Sequence, residues 1–286
     1  MTAAKVRIVT DSTCDLSQAE IESLGVVAVR LSVSFGPEVF YDGELSKDDY
    51  WEKTKGQFWP KTSQPSLGAF DSAFARQVEA GYDVLCLTLL TRYSGTFGTA
   101  SAAAHRFGDR VVVLDSGTVS AGLAWQVIAA AEAAAQGMER DAIAKLTRDM
   151  ATRTRLFAAL DTIENVRKGG RLSKLMPLMG RLMRVFDLKI VVTMANGEIG
   201  LLGAARSYWR ALERVLDAAM DHAPLEKLAV LHTRVPERAE AFADILAEKA
   251  GLNREEVRVV EGGPVLACHA GPKVMGAFVL SGAASG

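Results

Sequence analysis

An apolar run that ends in a small polar loop constrains this chain more than any other feature. Val84 to Leu90 is apolar apart from Thr88 and predicts a buried strand. The loop that follows, Thr91 to Thr96, is rich in hydroxyls, and a helix is predicted from about Phe97. In open α/β sheets, ligands bind where strand carboxyl ends meet helix starts, and hydroxyl and N–H groups there can hold an anion. The run therefore predicts an α/β fold with an anion site in this loop.

Two other predicted strands end in the same kind of loop. Val6 to Thr10 leads into Asp11-Ser12-Thr13, and Arg110 to Leu114 leads into Asp115-Ser116. Because several loops at one edge of a sheet can line a single pocket, we expect these loops to lie close together.

The first half of the chain alternates strands and helices in the rhythm of a parallel sheet. We predict one strand at 26–33, a loop at 60–66, and helices at 17–24, 46–56, 70–80, 121–136 and 141–153, with Ser66 as a cap for the third of them. Ser17 and Glu20 fit a capping box at the start of the first helix. Residues 1–150 are therefore predicted to form an N-terminal α/β domain, with a mainly parallel sheet flanked by helices.

The pattern changes near residue 155. Strands are predicted at 156–160, 188–194, 199–202, 226–232, 258–260, 265–268 and 274–279, with helices at 207–219 and 237–250. Asn196-Gly197 is a strong hairpin signal between two of these strands. Residues 151–286 are therefore predicted to form a C-terminal α+β domain.

Composition excludes several classes of protein. A net charge of -1 over 286 residues favours neither nucleic acid nor acidic membranes as a partner. Three widely spaced cysteines without a CxxC pair, and a start without a signal-peptide core, predict a cytoplasmic protein with reduced thiols. No phosphate-binding glycine motif and no histidine spacing typical of a metal site is present, so neither a nucleotide nor a metal is predicted.

Several polar residues allow more than one interpretation. Ser94 is a turn residue, an anion donor or a nucleophile, although Arg92 breaks the G-x-S-x-G pattern of a nucleophile elbow. Thr62 and Ser63 belong to an ordinary loop, or Thr62 donates to the same anion as Ser94. His269 is a packed residue or a ligand-binding one.

Residues 164–189 form a basic segment with seven Lys or Arg and two Asp or Glu among interleaved Leu and Met residues. This pattern is typical of a solvated face over a core-facing stripe, and also of a surface that docks a membrane or a partner protein. Pro177 and Gly180 break the segment, which would allow a mobile cover.

Taken together, these motifs resemble the DegV family, which includes the fatty-acid-binding subunits of bacterial fatty acid kinase. The matching stretches are Val9 to Leu16, Thr62 to Ser66, Ser94 to Thr96, Leu114 to Ser116, Lys168 to Ser173, Asn196 to Ile199 and His269 to Pro272. Each stretch is short, but their order and spacing run nearly end to end.

The resemblance implies a two-domain protein that holds a long-chain fatty acid between its domains. It implies that Thr62 and Ser94 hydrogen-bond the fatty acid carboxylate. The neighbouring Ser63, Gly95 and Thr96 complete that side of the predicted site, and His269 and Arg206 resemble the family's supporting polar residues. It further implies a subunit without catalytic residues, cofactor or metal.

The resemblance also implies a partner. A kinase subunit phosphorylates the presented carboxylate for phospholipid metabolism, and it docks on a basic patch that here comprises Arg167, Lys168 and Arg171. Transient contact with a membrane surface is expected as well. A serine hydrolase acting on acyl substrates, or a lipid carrier or sensor with no kinase partner, are the alternatives.

Overall fold

A computed structural model describes residues 5–162, 164–170 and 188–282. The described chain divides into two compact units, one up to Thr152 and one from Arg153. The first unit contains strands β1 Val6–Asp11, β2 Val27–Val29, β3 Ser32–Phe35, β4 Glu38–Tyr41, β5 Lys61–Ser63, β6 Asp83–Thr88 and β7 Val111–Asp115. Its helices are α1 Gln18–Ser23, α2 Lys47–Thr54, α3 Leu67–Glu79, α4 Thr96–Ala104, α5 Ser120–Ala135 and α6 Arg140–Arg153.

A four-stranded sheet in the order β2-β1-β6-β7 is the centre of the first unit, and each of its strand pairs is parallel. Helices α3 and α4 cover one face, where Phe70 and Phe74 pack against Val84 and Cys86. Side chains alternate along a strand, so Leu85 and the other buried residues between them point to the opposite face, where α5 contacts β1 and β6. Both faces are thus covered, as all-parallel sheets require.

A small antiparallel sheet in the order β4-β3-β5 is inserted between β2 and α3. Two sequence predictions were wrong here. The single strand expected at 26–33 is two strands, β2 and β3, which belong to different sheets. The loop expected at 60–66 contains β5, because Lys61–Ser63 pairs with β3.

The second unit is built on a six-stranded sheet in the order β10-β9-β8-β13-β11-β12. Its strands are β8 Thr154–Leu160, β9 Lys189–Ala195, β10 Glu198–Ala205, β11 Leu225–His232, β12 Arg258–Glu261 and β13 Met275–Ser281. Its helices are α7 Glu164–Gly169, α8 Tyr208–Met220, α9 Pro236–Ala250 and α10 Pro264–Ala270. Helices α8 and α9 bury one face of the sheet, with Val215 and Phe242 among the contacts. Asn196 and Gly197 have positive φ, as a tight turn between β9 and β10 requires.

The strand expected at 265–268 was wrong, because these residues lie in α10. Pro264 stands in the first turn of that helix, where its missing N–H has no intrahelical partner to lose. A short apolar run cannot by its pattern alone be told from a buried helical turn. The predicted α/β class is nevertheless confirmed by the flanked parallel sheet of the first unit and the mixed sheet of the second.

Candidate functional site

Three strand ends meet at the carboxyl edge of the parallel sheet. In the sheet order β2-β1-β6-β7, the chain passes from β1 to its neighbour β2 and later returns to add β6 on the opposite side of β1. The carboxyl ends of β1 and β6 therefore flank a topological switch point, the place where α/β sheets bind ligands. Asp11 ends β1 and Thr88 ends β6, with Asp115 at the end of β7.

The loop after β6 is held by three successive backbone N–H groups. Leu89 donates to Asp11 Oδ2 at 2.7 Å, and Leu90 donates to the Thr118 carbonyl at 3.0 Å. Thr91 donates to Asp115 Oδ2 at 3.1 Å. Two aspartates, one from each flanking strand, thus fix the first part of the loop that carries Ser94.

Ser94, Gly95 and Thr96 form the start of α4. The Ser94 and Thr96 hydroxyls lie 2.8 Å apart, and the Thr96 N–H donates to Ser94 Oγ at 3.3 Å. Thr96 is fully buried and Ser94 is half-buried, while Gly95 is exposed. The N-terminal amides of a helix and these hydroxyls together provide the donors that an anion site needs. Ser94 hydrogen-bonds Thr96 at a helix start, which is not the Ser-His geometry of a hydrolase.

Gln64 joins the segment of Thr62 and Ser63 to this helix start. Its Nε2 donates to Thr99 Oγ1 of α4 at 2.6 Å. Its side chain also lies over Gly95 so closely that a Cβ there would be 2.0 Å from Gln64 Oε1. The structure therefore brings the two predicted carboxylate-binding segments together through Gln64, which was not among the predicted site residues.

Thr62 and Ser63 occupy the strand β5 and not a loop. Thr62 pairs with Val33 and is half-buried, whereas Ser63 pairs with Ser32 and is exposed. A strand holds its side chains in a fixed alternation, so the two hydroxyls point to opposite faces of the small sheet.

Asp11 is a buried carboxyl group at this edge whose pKa is strongly raised. Its side chain is completely buried and accepts hydrogen bonds from the Thr13 N–H at 3.0 Å and from Thr13 Oγ1 at 2.6 Å, in addition to Leu89. Burial raises its pKa from 3.8 to about 6, although these hydrogen bonds oppose the rise. The motif Asp11-Ser12-Thr13 was predicted to line the pocket, but its role in holding the neighbouring loop was not.

In the second unit, His269 lies in the last turn of α10 and is packed against α7. A Cβ added to Gly169 would be 2.8 Å from His269 Nδ1, so only glycine allows the imidazole this close. Asn165 of α7 donates from Nδ2 to the Cys268 carbonyl at 3.2 Å. Gly271, with φ of 84°, places its Cα next to the Asn165 amide. Asn165 thus ties α7 to the backbone next to His269, and Gly169 leaves room for the imidazole. Neither residue was among the site residues predicted from the sequence.

The charged residues predicted in this unit lie on its surface. Arg206 is exposed just before α8, whose first residue Tyr208 donates to the Lys273 carbonyl at 2.8 Å. Arg167 and Lys168 are exposed on α7, and Lys168 pairs with Glu164 at 2.8 Å.

Two of the predictions for this unit cannot be placed. Arg171 lies outside the described residues, as do Pro177 and Gly180 of the basic segment. The structure thus brings His269 together with the helix that carries Arg167 and Lys168.

Within residues 5–162, 164–170 and 188–282, no group of three or more His, Cys, Asp or Glu side chains is placed to hold a metal ion. No helix in the same ranges is both long and apolar enough to cross a membrane.

Comparison with known proteins finds a family that matches the chain over nearly its whole length. The DegV family model matches residues 5–282. A DegV domain-containing protein of Deinococcus radiodurans is 34% identical over 277 residues, which is 95% of this chain and 96% of the relative.

Solved structures agree with this match. A DegV family protein from Thermus thermophilus, described by its fatty acid binding, is 30% identical with a TM-score of 0.88 over 97% of this chain and 99% of its own. A stearic acid-binding protein from Eubacterium ventriosum is 26% identical with a TM-score of 0.85 over 96% and 98%. A fatty acid binding DegV family protein from Streptococcus agalactiae is 25% identical with a TM-score of 0.89 over 98% and 100%.

Proposed function

Because this chain belongs to the DegV family, we propose that it binds a long-chain fatty acid and presents the carboxylate to a partner kinase, which forms the acyl phosphate. The observation that carries the proposal is the start of α4, where Ser94 and Thr96 stand beside the segment of Thr62 that Gln64 attaches to the helix. Fatty acid binding by the Thermus relative and stearic acid binding by the Eubacterium relative support the ligand class.

Physical chemistry supports this assignment of the headgroup. A carboxylate accepts hydrogen bonds from hydroxyl and N–H donors, and each such bond to a charged group contributes roughly 1.5–3 kcal/mol. The acyl chain supplies most of the affinity, at about 0.8 kcal/mol per buried CH₂. Neutral donors hold the carboxylate without enclosing it in ion pairs, which leaves an oxygen able to attack a phosphoryl group. In this proposal Thr62 and Ser94 are the principal donors, with Ser63, Gly95 and Thr96 beside them.

The roles of His269 and Arg206 at the same carboxylate remain predictions from the resemblance. So does kinase docking through Arg167, Lys168 and Arg171. Cytoplasmic location and transient contact with a membrane surface complete the proposal. The protein itself then needs no catalytic residue, since the chemistry belongs to the partner.

The direct test is denaturing solvent extraction of purified protein, followed by mass spectrometry. We expect a stoichiometric long-chain fatty acid, and reloading of stripped protein with stearate. Thr62→Ala with Ser94→Ala should weaken stearate binding at least tenfold, since two charge-assisted hydrogen bonds are lost. Stripped protein that takes up no stearate would refute the proposal.

A kinase assay separates the finer part of the proposal from the coarser one. Loaded protein, ATP and a bacterial fatty acid kinase should give acyl phosphate, and Arg167→Ala with Lys168→Ala should lower the rate without changing stearate affinity. A protein that binds stearate but supports no acyl phosphate formation would be a carrier or sensor. Hydrolysis of p-nitrophenyl esters that is lost in Ser94→Ala would instead indicate a hydrolase.

A further inference from the structure

Asp11 is a buried acid placed where it can control the loop that carries Ser94. Its two oxygens accept three hydrogen bonds, and the one from Leu89 at 2.7 Å holds the first residue after β6. Leu89 is five residues before Ser94, and the intervening turn continues through the Ser94 N–H, which donates to the Thr91 carbonyl at 3.4 Å. Asp11 therefore fixes the root of the loop from a neighbouring strand.

We propose that Asp11 is a positioning residue for the carboxylate site, and that its ionised form holds the Ser94 loop in the geometry that binds the fatty acid. The inference rests on the proposed function. It adds that ligand affinity depends on whether Asp11 carries a proton, although Asp11 itself need not touch the ligand.

The carboxylate form is the one that suits these contacts. An ionised carboxylate offers acceptors on both oxygens, and hydrogen bonds to a charged acceptor are about twice as strong as neutral ones. Protonation places a hydrogen on one oxygen. The Thr13 hydroxyl can turn to accept it, but the Leu89 N–H then faces a neutral and weaker acceptor. The loop root is thus held less firmly in the protonated form.

The groups around Asp11 are consistent with its pKa of about 6, so that it gains or loses its proton near neutral pH. Cys14 and Cys86 lie beside it, and burial raises the pKa of the Cys14 thiol to about 12 and that of Cys86 well above its usual value, so both stay neutral. Asp42 is the neighbouring acid that acts on Asp11, and it raises the Asp11 pKa by repulsion. The pKa of Asp42 is itself raised by burial. Asp15 lies beyond Cys14, where Ser120 Oγ donates to it at 2.5 Å.

Two measurements test the proposal. In ligand-free protein, amide NMR should show Leu89 and Ser94 resonances titrating together with a midpoint near pH 6, and Asp11→Asn should abolish that titration. Asp42→Asn should lower the midpoint but keep it. Asp115→Asn, which changes the acid that holds Thr91 from the other strand, should leave it in place.

The second measurement is stearate affinity at pH 7.5 and 5.5. Asp11→Asn keeps the shape but places an amide N–H against one of the three donors, so we expect about tenfold weaker binding at pH 7.5. The difference from wild type should shrink several-fold at pH 5.5, while titration of the ligand itself affects both proteins alike.

An affinity ratio that is the same at both pH values would overturn the proposal, because a merely structural role is independent of the proton. Tighter binding by Asp11→Asn would also overturn it, since repulsion of the ligand anion would then dominate. Amide titration in a protein that binds no stearate would refute the proposed function and leave the control of the loop by Asp11 standing.

Discussion

The close approach of Gln64 to Gly95 gives a sharp test of how the two carboxylate-binding segments are held together. In Gly95→Ala the new Cβ would lie 2.0 Å from Gln64 Oε1 and 2.8 Å from its Cδ. The backbone itself tolerates alanine, since φ is -78° and ψ is 3°. The glutamine must therefore swing away and give up its 2.6 Å hydrogen bond to Thr99.

The expected size of the effect follows from that bond. An exposed neutral hydrogen bond contributes about 0.5–1.5 kcal/mol, so Gly95→Ala should weaken stearate binding about two- to tenfold. Gln64→Ala removes the same bond and should weaken binding by a similar factor. Adding Gly95→Ala to Gln64→Ala should then change little, which gives a coupling free energy of about 1 kcal/mol in a double-mutant cycle.

Stearate titration of stripped protein, with urea unfolding as a check on stability, is the appropriate assay. Gly98→Ala is the matched control, because it lies three residues further along α4 and a Cβ there meets no atom within 4 Å. Additive losses in the two single variants would show that Gln64 does not couple β5 to α4. Equal losses in Gly98→Ala would show that any added methyl at this helix start disturbs the site.

Three further predictions concern stability. Gly276→Ala should lower the free energy of unfolding by about 1–3 kcal/mol, since its Cβ would be 2.5 Å from the Phe157 carbonyl oxygen in the paired backbone, whereas Gly200→Ala meets only a methyl at 3.4 Å and should be neutral by thermal unfolding. Burial raises the Asp11 pKa from 3.8 to about 6, so protonation of Asp11 stabilises the folded protein. This stabilisation is complete below about pH 4 and is lost as pH rises through about 6. Urea titrations should therefore show a fall of about 3 kcal/mol in the free energy of unfolding across this range, and Asp11→Asn should remove that fall. Ser17→Ala should cost about 1 kcal/mol, because Ser17 caps α1 and its capping box is intact, and an unchanged midpoint would contradict this.

The sequence predicted those parts of the fold in which local pattern and tertiary structure agree. The capping box at Ser17, the Asn196-Gly197 hairpin and the β6 strand all follow from residues close together in the chain, and all are confirmed. The expected strand at 265–268 was wrong, because four apolar residues suit a strand or a helical turn and only packing decides.

The site shows the same division. Ser94 was found because a small polar loop follows a buried strand, which is a local pattern. Gln64 and Asn165 were missed, because their contacts join segments 35 and 103 residues apart, to Thr99 and Cys268. Nothing in the sequence around either residue marks that distant partner. Asp11 was selected as a loop residue, but its hydrogen bond to Leu89 spans 78 residues and could be found only in three dimensions.

The position of β13 in the second sheet determines when that unit can fold. This strand, Met275–Ser281, lies between β8 and β11, and it is the only link between β10-β9-β8 and β11-β12 in the described sheet. Its residues are almost all buried. β8 pairs with β13, which lies more than one hundred residues later in the chain. During synthesis this edge of β8 therefore stays unpaired until β13 has been made. A nascent chain halted before Met275 would hold two half-sheets with unpaired edges, which makes the incomplete protein prone to aggregation and a natural client for chaperones.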